Sequence, residues 1–175
     1  TELLHVIGDV ERISDHSVNI VEVAKEIHEK GIVFSDEAMH DIDVISNAVC
    51  HVLNLATDAL VSEDLEIAKK VEPLEQVIKF GISIYNRFII HKRKIKNNHI
   101  QRLKEGGCTV ELGFVLSDLL TNYERIADHC SNIAVCLIEI AHGSFETHEY
   151  LSHVKSDGEN DFTERYDAYK KKYSI

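Results

Sequence analysis

The sequence predicts an all-α fold, an antiparallel helical bundle, and three observations carry that prediction. Apolar residues recur at alternating steps of three and four over long stretches, the spacing of one helix face. No segment sustains the strict alternation of a half-buried strand. One proline and eight glycines are all that interrupt the 175 residues, of which 44% are apolar. That length and composition suffice for one real core. The connections between periodic stretches are short, which places successive helices side by side and antiparallel.

The elements follow in order. A first helix spans about Glu2 to Lys30 and stops at Gly31, a residue free to take the left-handed conformation that closes a helix. Its expected core stripe is Val6, Val10, Ile13, Ser17, Ile20, Ala24 and Ile27. A second helix begins at Ser35, an N-cap followed by Asp36 and Glu37 in the first turn. Its stripe runs through Ile42, Ile45, Val49, Val52, Ala56 and Ala59. A third follows the Ser62-Glu63-Asp64 cap and is expected to reach Glu105, with Pro73 kinking it or marking a late first turn. A fourth runs from about Thr109 to Gly143, with the stripe Leu119, Tyr123, Ile126, Cys130, Ile133, Leu137 and Ile140. Past Gly143 the pattern weakens until Phe162, Tyr166, Tyr169 and Tyr173, spaced four, three and four. These predict a short amphipathic helix docking on the bundle or on a partner.

The net charge of −11, with histidines neutral, argues against nucleic acid as a partner. None of Cys50, Cys108, Cys130 and Cys136 forms a C-x-x-C pair, so the four are expected to be reduced core thiols in a cytosolic setting. No uncharged apolar run approaches the roughly 20 residues of a membrane span. The chain opens at Thr1 directly in a helical pattern and reads as a piece of something longer. The basic stretch His91-Lys92-Arg93-Lys94 to Lys96 reads as a solvated face or a contact for anionic lipid.

One ten-residue motif occurs twice. Glu11 to Ile20 reads ERISDHSVNI, and Glu124 to Ile133, 113 residues on (124 − 11), reads ERIADHCSNI. Glu and Asp therefore stand one turn apart on two helices, nearly opposite the apolar stripe of each. A single copy would be an ordinary surface face, with Arg12–Asp15 and Arg125–Asp128 as helix-stabilising pairs. Two copies place a mutually repelling carboxylate pair at the same phase, with Asn19 and Asn132 completing each face. Oxygen-rich faces of this kind suit divalent or ferric ions. The candidate ligands are Glu11, Asp15, Glu124 and Asp128; Asn19, Asn132, His16 and His129 are candidate supporting residues around them. No nucleophile motif or glycine-rich phosphate loop accompanies them, so an enzyme is not expected.

These two motifs resemble the ERIGDHxxNI motif of PhoU domains, the phosphate-uptake regulators. NNHIQRLKEGGCT followed by YERIADHCSNIA resembles the cytoplasmic C-terminal PhoU-like part of bacterial sodium/phosphate cotransporter-related proteins. The resemblance implies tandem three-helix units with the motif on the third helix of each. Residues 1–31 would then be the last helix of a first unit, 32–143 a complete second unit, and 144–175 a tail. It implies a surface metal site, with iron or zinc expected, on the Glu11/Asp15 and Glu124/Asp128 faces. It also implies a regulatory domain at the cytoplasmic face of the cell membrane, with a transmembrane transporter domain of the same protein as partner. The apolar seam of the first helix, from Val6 to Ile27, lacks the partner helices of its own unit, so a homodimer that buries it is a further option. The alternative is a metal-free structural or dimerisation domain. One position departs from the family pattern: Lys79 stands where an acid is expected on the helix before the second motif. An ammonium there would repel a cation, or replace it with a salt bridge.

Overall fold

A computed structural model describes residues 2–94, 110–142 and 159–173. Six helices make up the described residues, without a strand: α1 Glu2–Glu29, α2 Asp36–Ser62, α3 Leu65–Ala68, α4 Val71–Lys94, α5 Val110–His142 and α6 Glu159–Lys172.

The caps act where the sequence places them. Gly31 takes φ +60° and closes α1. Its N–H donates to His28 O, and Ile32 N–H donates to Ile27 O at 3.0 Å, the paired bonds of a Schellman ending. Ser35 Oγ accepts from Ala38 N–H at the start of α2. Asp64 Oδ1 accepts from Glu66 N–H at 2.8 Å and starts α3.

The expected long third helix is instead two helices. α3 ends at Ala68, and α4 starts at Val71 with Pro73 in its first turn. A proline ring clashes with the carbonyl four residues back, here Lys69, so the helix breaks before it. In the first turn the missing N–H costs nothing, because that donor has no partner in the helix anyway. The expected extension from Ile95 to Glu105 lies outside the described residues, and so do Lys96, Cys108 and residues 143–158.

The core centres on α5, which lies between α1 on one side and α2 and α4 on the other. Ile45, Val52 and Ala59 of α2, Leu74, Ile78 and Ile82 of α4, and Leu120, Ala127, Cys130 and Ala134 of α5 are all buried. α2 is apolar enough on average over Ala38–Ser62 for a bilayer by length and composition, yet its stripe is buried in this bundle. Cys130 and Cys136 are buried as expected, whereas Cys50 is exposed, since it faces away from the α2 stripe. α6 packs on α4 and docks through its aromatics: Tyr173 is buried, and its hydroxyl meets His51 Nδ1 of α2 at 2.9 Å.

α1 departs from its expected stripe. It packs on α5 and on no other described helix. Val6, Ile13 and Val23 are buried, but Val10, Ser17 and Ala24 are exposed. A helix covered on one side buries a narrow line, shifted towards its single neighbour.

Candidate functional site at the paired motif helices

The two motifs face each other across α1 and α5, and their contacts repeat with the same 113-residue offset. His16 Nδ1 meets Asn122 Oδ1 at 2.9 Å, and His129 Nδ1 meets Asp9 Oδ1 at 2.8 Å. Asn19 Nδ2 donates to Asn122 Oδ1 at 3.2 Å, and Asn132 Nδ2 donates to Asp9 Oδ1 at 3.3 Å. Each contact is the image of another, so α1 and α5 are related by a local two-fold. The axis passes between the His16 and His129 rings, stacked with centroids 5.7 Å apart. Both acceptors are oxygens, so each histidine carries its proton on Nδ1.

The amides of Asn19 and Asn132 thus donate across the helix pair. His16 and His129 likewise fasten one motif helix to the other. The sequence does carry the signal for this: Asp9 and Asn122 stand at equivalent positions just before the two motifs, and both can accept.

The four carboxylates fall into two different settings. Glu11 and Asp15 are exposed on α1, and no described residue gives either a hydrogen bond or an ion pair. Asp128, three-quarters buried, lies at the edge of α4. Lys79 Nζ approaches its Oδ1 to 2.9 Å, and Arg125 reaches its Oδ2 at 3.6 Å. Lys79 also pairs with Glu75, one turn earlier on α4, whose side chain is 2% exposed. The expected salt bridge therefore stands where a cation would.

Burial dominates at Glu75 and pushes its carboxyl up to about 7; Lys79 pulls it back, while Glu72 and Asp128 push it further. Burial works against the Lys79 ammonium, but the carboxylates of Glu75 and Asp128 outweigh it and raise its pKa. The two partners thus differ in what governs them: Glu75 is almost fully enclosed, whereas Lys79 is 40% exposed and keeps its charge. Glu75 Oε2 and Asp128 Oδ1 have no aligned hydrogen-bond donor, so the Lys79–Asp128 contact is a charge contact. Ser131 of α5 donates to Glu72 and ties down that carboxylate.

These placements test whether the residues fit a metal. Among the described residues no group of three His, Cys, Asp or Glu side chains is arranged for one ion. Glu124 and Asp128 do not fit, because an ammonium holds Asp128. Glu11 and Asp15 are two exposed carboxylates one turn apart; by themselves they would offer an ion no more than two of its ligands. Beside the motif pair lies a groove of about 630 Å³, lined among others by Asp9, Arg12, Glu72, Asn132 and Glu139.

The chain is 28% identical over 157 residues to the phosphate-specific transport system accessory protein PhoU homolog 1 of Thermotoga maritima. The match covers 90% of this chain but 62% of that relative, so the chain spans less than two thirds of its length. No solved structure matches the chain. The PhoU domain family matches residues 42–137, from the stripe of α2 through the second motif on α5. With more than half of the sequence matched, the chain belongs to the PhoU domain family.

Proposed function

We propose that this domain is a non-enzymatic regulatory module of phosphate transport. It sits at the cytoplasmic face of the membrane as part of a sodium/phosphate cotransporter-related protein and works by helix-on-helix docking. The name of the Thermotoga relative, an accessory protein of a phosphate-specific transport system, supports the transport context. One observation carries the docking. The stripe that α5 buries under α2 and α4 has an equivalent on α1 that no described residue covers: Leu116, Leu120 and Ala134 are buried, while Leu3, Ile7 and Val21 at the same repeat positions are each more than 60% exposed. Contiguous apolar stripes of that length mark interaction surfaces.

In the working protein a helix pair equivalent to α2 and α4 covers this stripe, supplied by an adjoining unit or by a second copy of the chain. Light scattering over a dilution series separates the two, since only the second gives a mass that falls on dilution. The assembled units then bear on the transmembrane transporter part. Phosphate uptake in cells carrying the full-length protein tests this. Ile7→Glu with Val21→Glu, both on the bare face, is expected to change uptake without unfolding the domain; unchanged uptake would sink the proposal.

Glu11 and Asp15 supply two ligands to a divalent or ferric ion, iron or zinc, completed by the helix that covers α1. Such an ion would neutralise the pair and fix the spacing of that helix. Protein loaded with iron or zinc and then desalted should hold less metal once Glu11 and Asp15 are alanine. Equal metal content in both would favour the metal-free structural or dimerisation domain.

A further inference from the structure

The second motif keeps its carboxylates but not their accessibility, and the reason lies in the seam between α4 and α5. Three carboxylates meet there: Glu72 and Glu75 from α4 and Asp128 from α5. Glu72 is held by the Ser131 hydroxyl. Glu75 is sealed in the core with one oxygen lacking any donor. Asp128 is partly open, with Arg125 on its outer side. Buried carboxylates need a countercharge, because the low-dielectric interior penalises an uncompensated one heavily.

We infer that the Lys79 ammonium is the resident cation of the second motif, a tethered charge that clamps the carboxylates of α4 and α5 in a metal ion's stead and leaves this half of the repeat metal-independent. The geometry suits the role. Lys79 stands one turn after Glu75 on the same helix and reaches across to Asp128 on the next, so a single charge bridges both helices. The Lys79 side chain is 40% exposed, so its ammonium bridges the two carboxylates at the edge of solvent. An ammonium offers three donors without demanding coordination geometry. Being covalently attached, it is present whatever the metal supply. The Glu11/Asp15 face has no such lysine among the described residues, so the two motifs have separate fates: one closed by an internal cation, the other open.

The test uses the Glu11→Ala/Asp15→Ala protein as parent, which removes the first motif from the reading, and thermal unfolding at pH 8. The parent midpoint should not respond to EDTA or to manganese. Lys79→Ala should lower it by about 5 °C or more. Ethylammonium or manganese, either of which can occupy the vacated space, should restore part of the loss. Adding Asp128→Asn should abolish that recovery. If Lys79→Ala does not fold, Lys79→Arg and Lys79→Met replace it: the first should stay near the parent and the second fall well below. A parent destabilised by EDTA would overturn the inference. So would a Lys79→Ala midpoint unchanged from the parent, a loss that neither cation restores, or equal midpoints for the arginine and methionine variants.

Discussion

His16 and His129 stack at 5.7 Å with their rings inclined by 22°, and the local two-fold that relates α1 to α5 runs between them. Each donates through Nδ1 to an oxygen on the opposite helix, His16 to Asn122 and His129 to Asp9. His129 is buried and Asp9 nearly so, which makes that half of the pair the costlier one to break.

Asp9→Ala should therefore lower stability by about 1–3 kcal/mol, because it leaves the His129 N–H buried without an acceptor. Asn122→Ala, at the more exposed His16, should cost less. Urea unfolding of the two single variants compares them directly. Equal losses would show that burial does not set the cost.

Stability should depend on pH through Glu75. Its carboxyl titrates near 4.5 when unfolded and near 7 in the fold, raised chiefly by burial. Between those values the folded chain holds the extra proton, so stability falls as pH rises from about 4.5 to about 7 and levels off above. The full span is on the order of 3 kcal/mol. Glu75→Gln should flatten that slope. A denaturant midpoint tracked across pH 4.5–8 for both proteins measures it.

Repeat-equivalent residues should respond unequally to truncation. Leu120→Ala should cost about 2–5 kcal/mol, since it opens a cavity under α2 and α4. Ile7→Ala, the same position on α1, should change stability by no more than about 0.5 kcal/mol. Calorimetry of the two variants separates them, and a large loss at Ile7 would mean that its stripe is already covered in the isolated domain.

Thiol labelling should divide the cysteines by burial. Burial, with a smaller push from Asp9, raises the Cys130 thiol to about 12, so it stays protonated and enclosed at pH 8. Cys50 is exposed. Peptide mapping after brief alkylation of folded protein should find Cys50 modified and Cys130 untouched until denaturant is added.

Glu63, which ends α2 with φ 54°, is the one non-glycine residue in the left-handed region among those described. Glycine carries no penalty there. Glu63→Gly should raise stability by about 0.5–1 kcal/mol in thermal unfolding, whereas Gly31→Ala should lower it, because Gly31 holds the same conformation with no side chain to strain.

The amino-acid order alone determined what is local. Ser35, Asp64 and Gly31 set helix ends through bonds to their own neighbours in sequence, so they could be read without a fold. The repeated motif was legible for the same reason, as a matter of spacing along one helix, whereas Lys79 stood out only against the pattern that the family resemblance implies. Pro73 was visible too, but whether it would kink a helix or begin one depended on the carbonyl it had to avoid. What only the tertiary structure decided is which helix stands opposite which face. Helical phase gives a side chain a direction and no neighbour. Asn19 and Asn132 share a phase with the carboxylates closely enough to be grouped with them, and only the position of α1 against α5 turned them to Asp9 and Asn122. The two motif helices are nearly the same sequence over their shared decad, yet α5 is covered on two sides and α1 on one. Burial belongs to the arrangement of helices, and so, among the described residues, the same stripe is core in one copy and uncovered in the other.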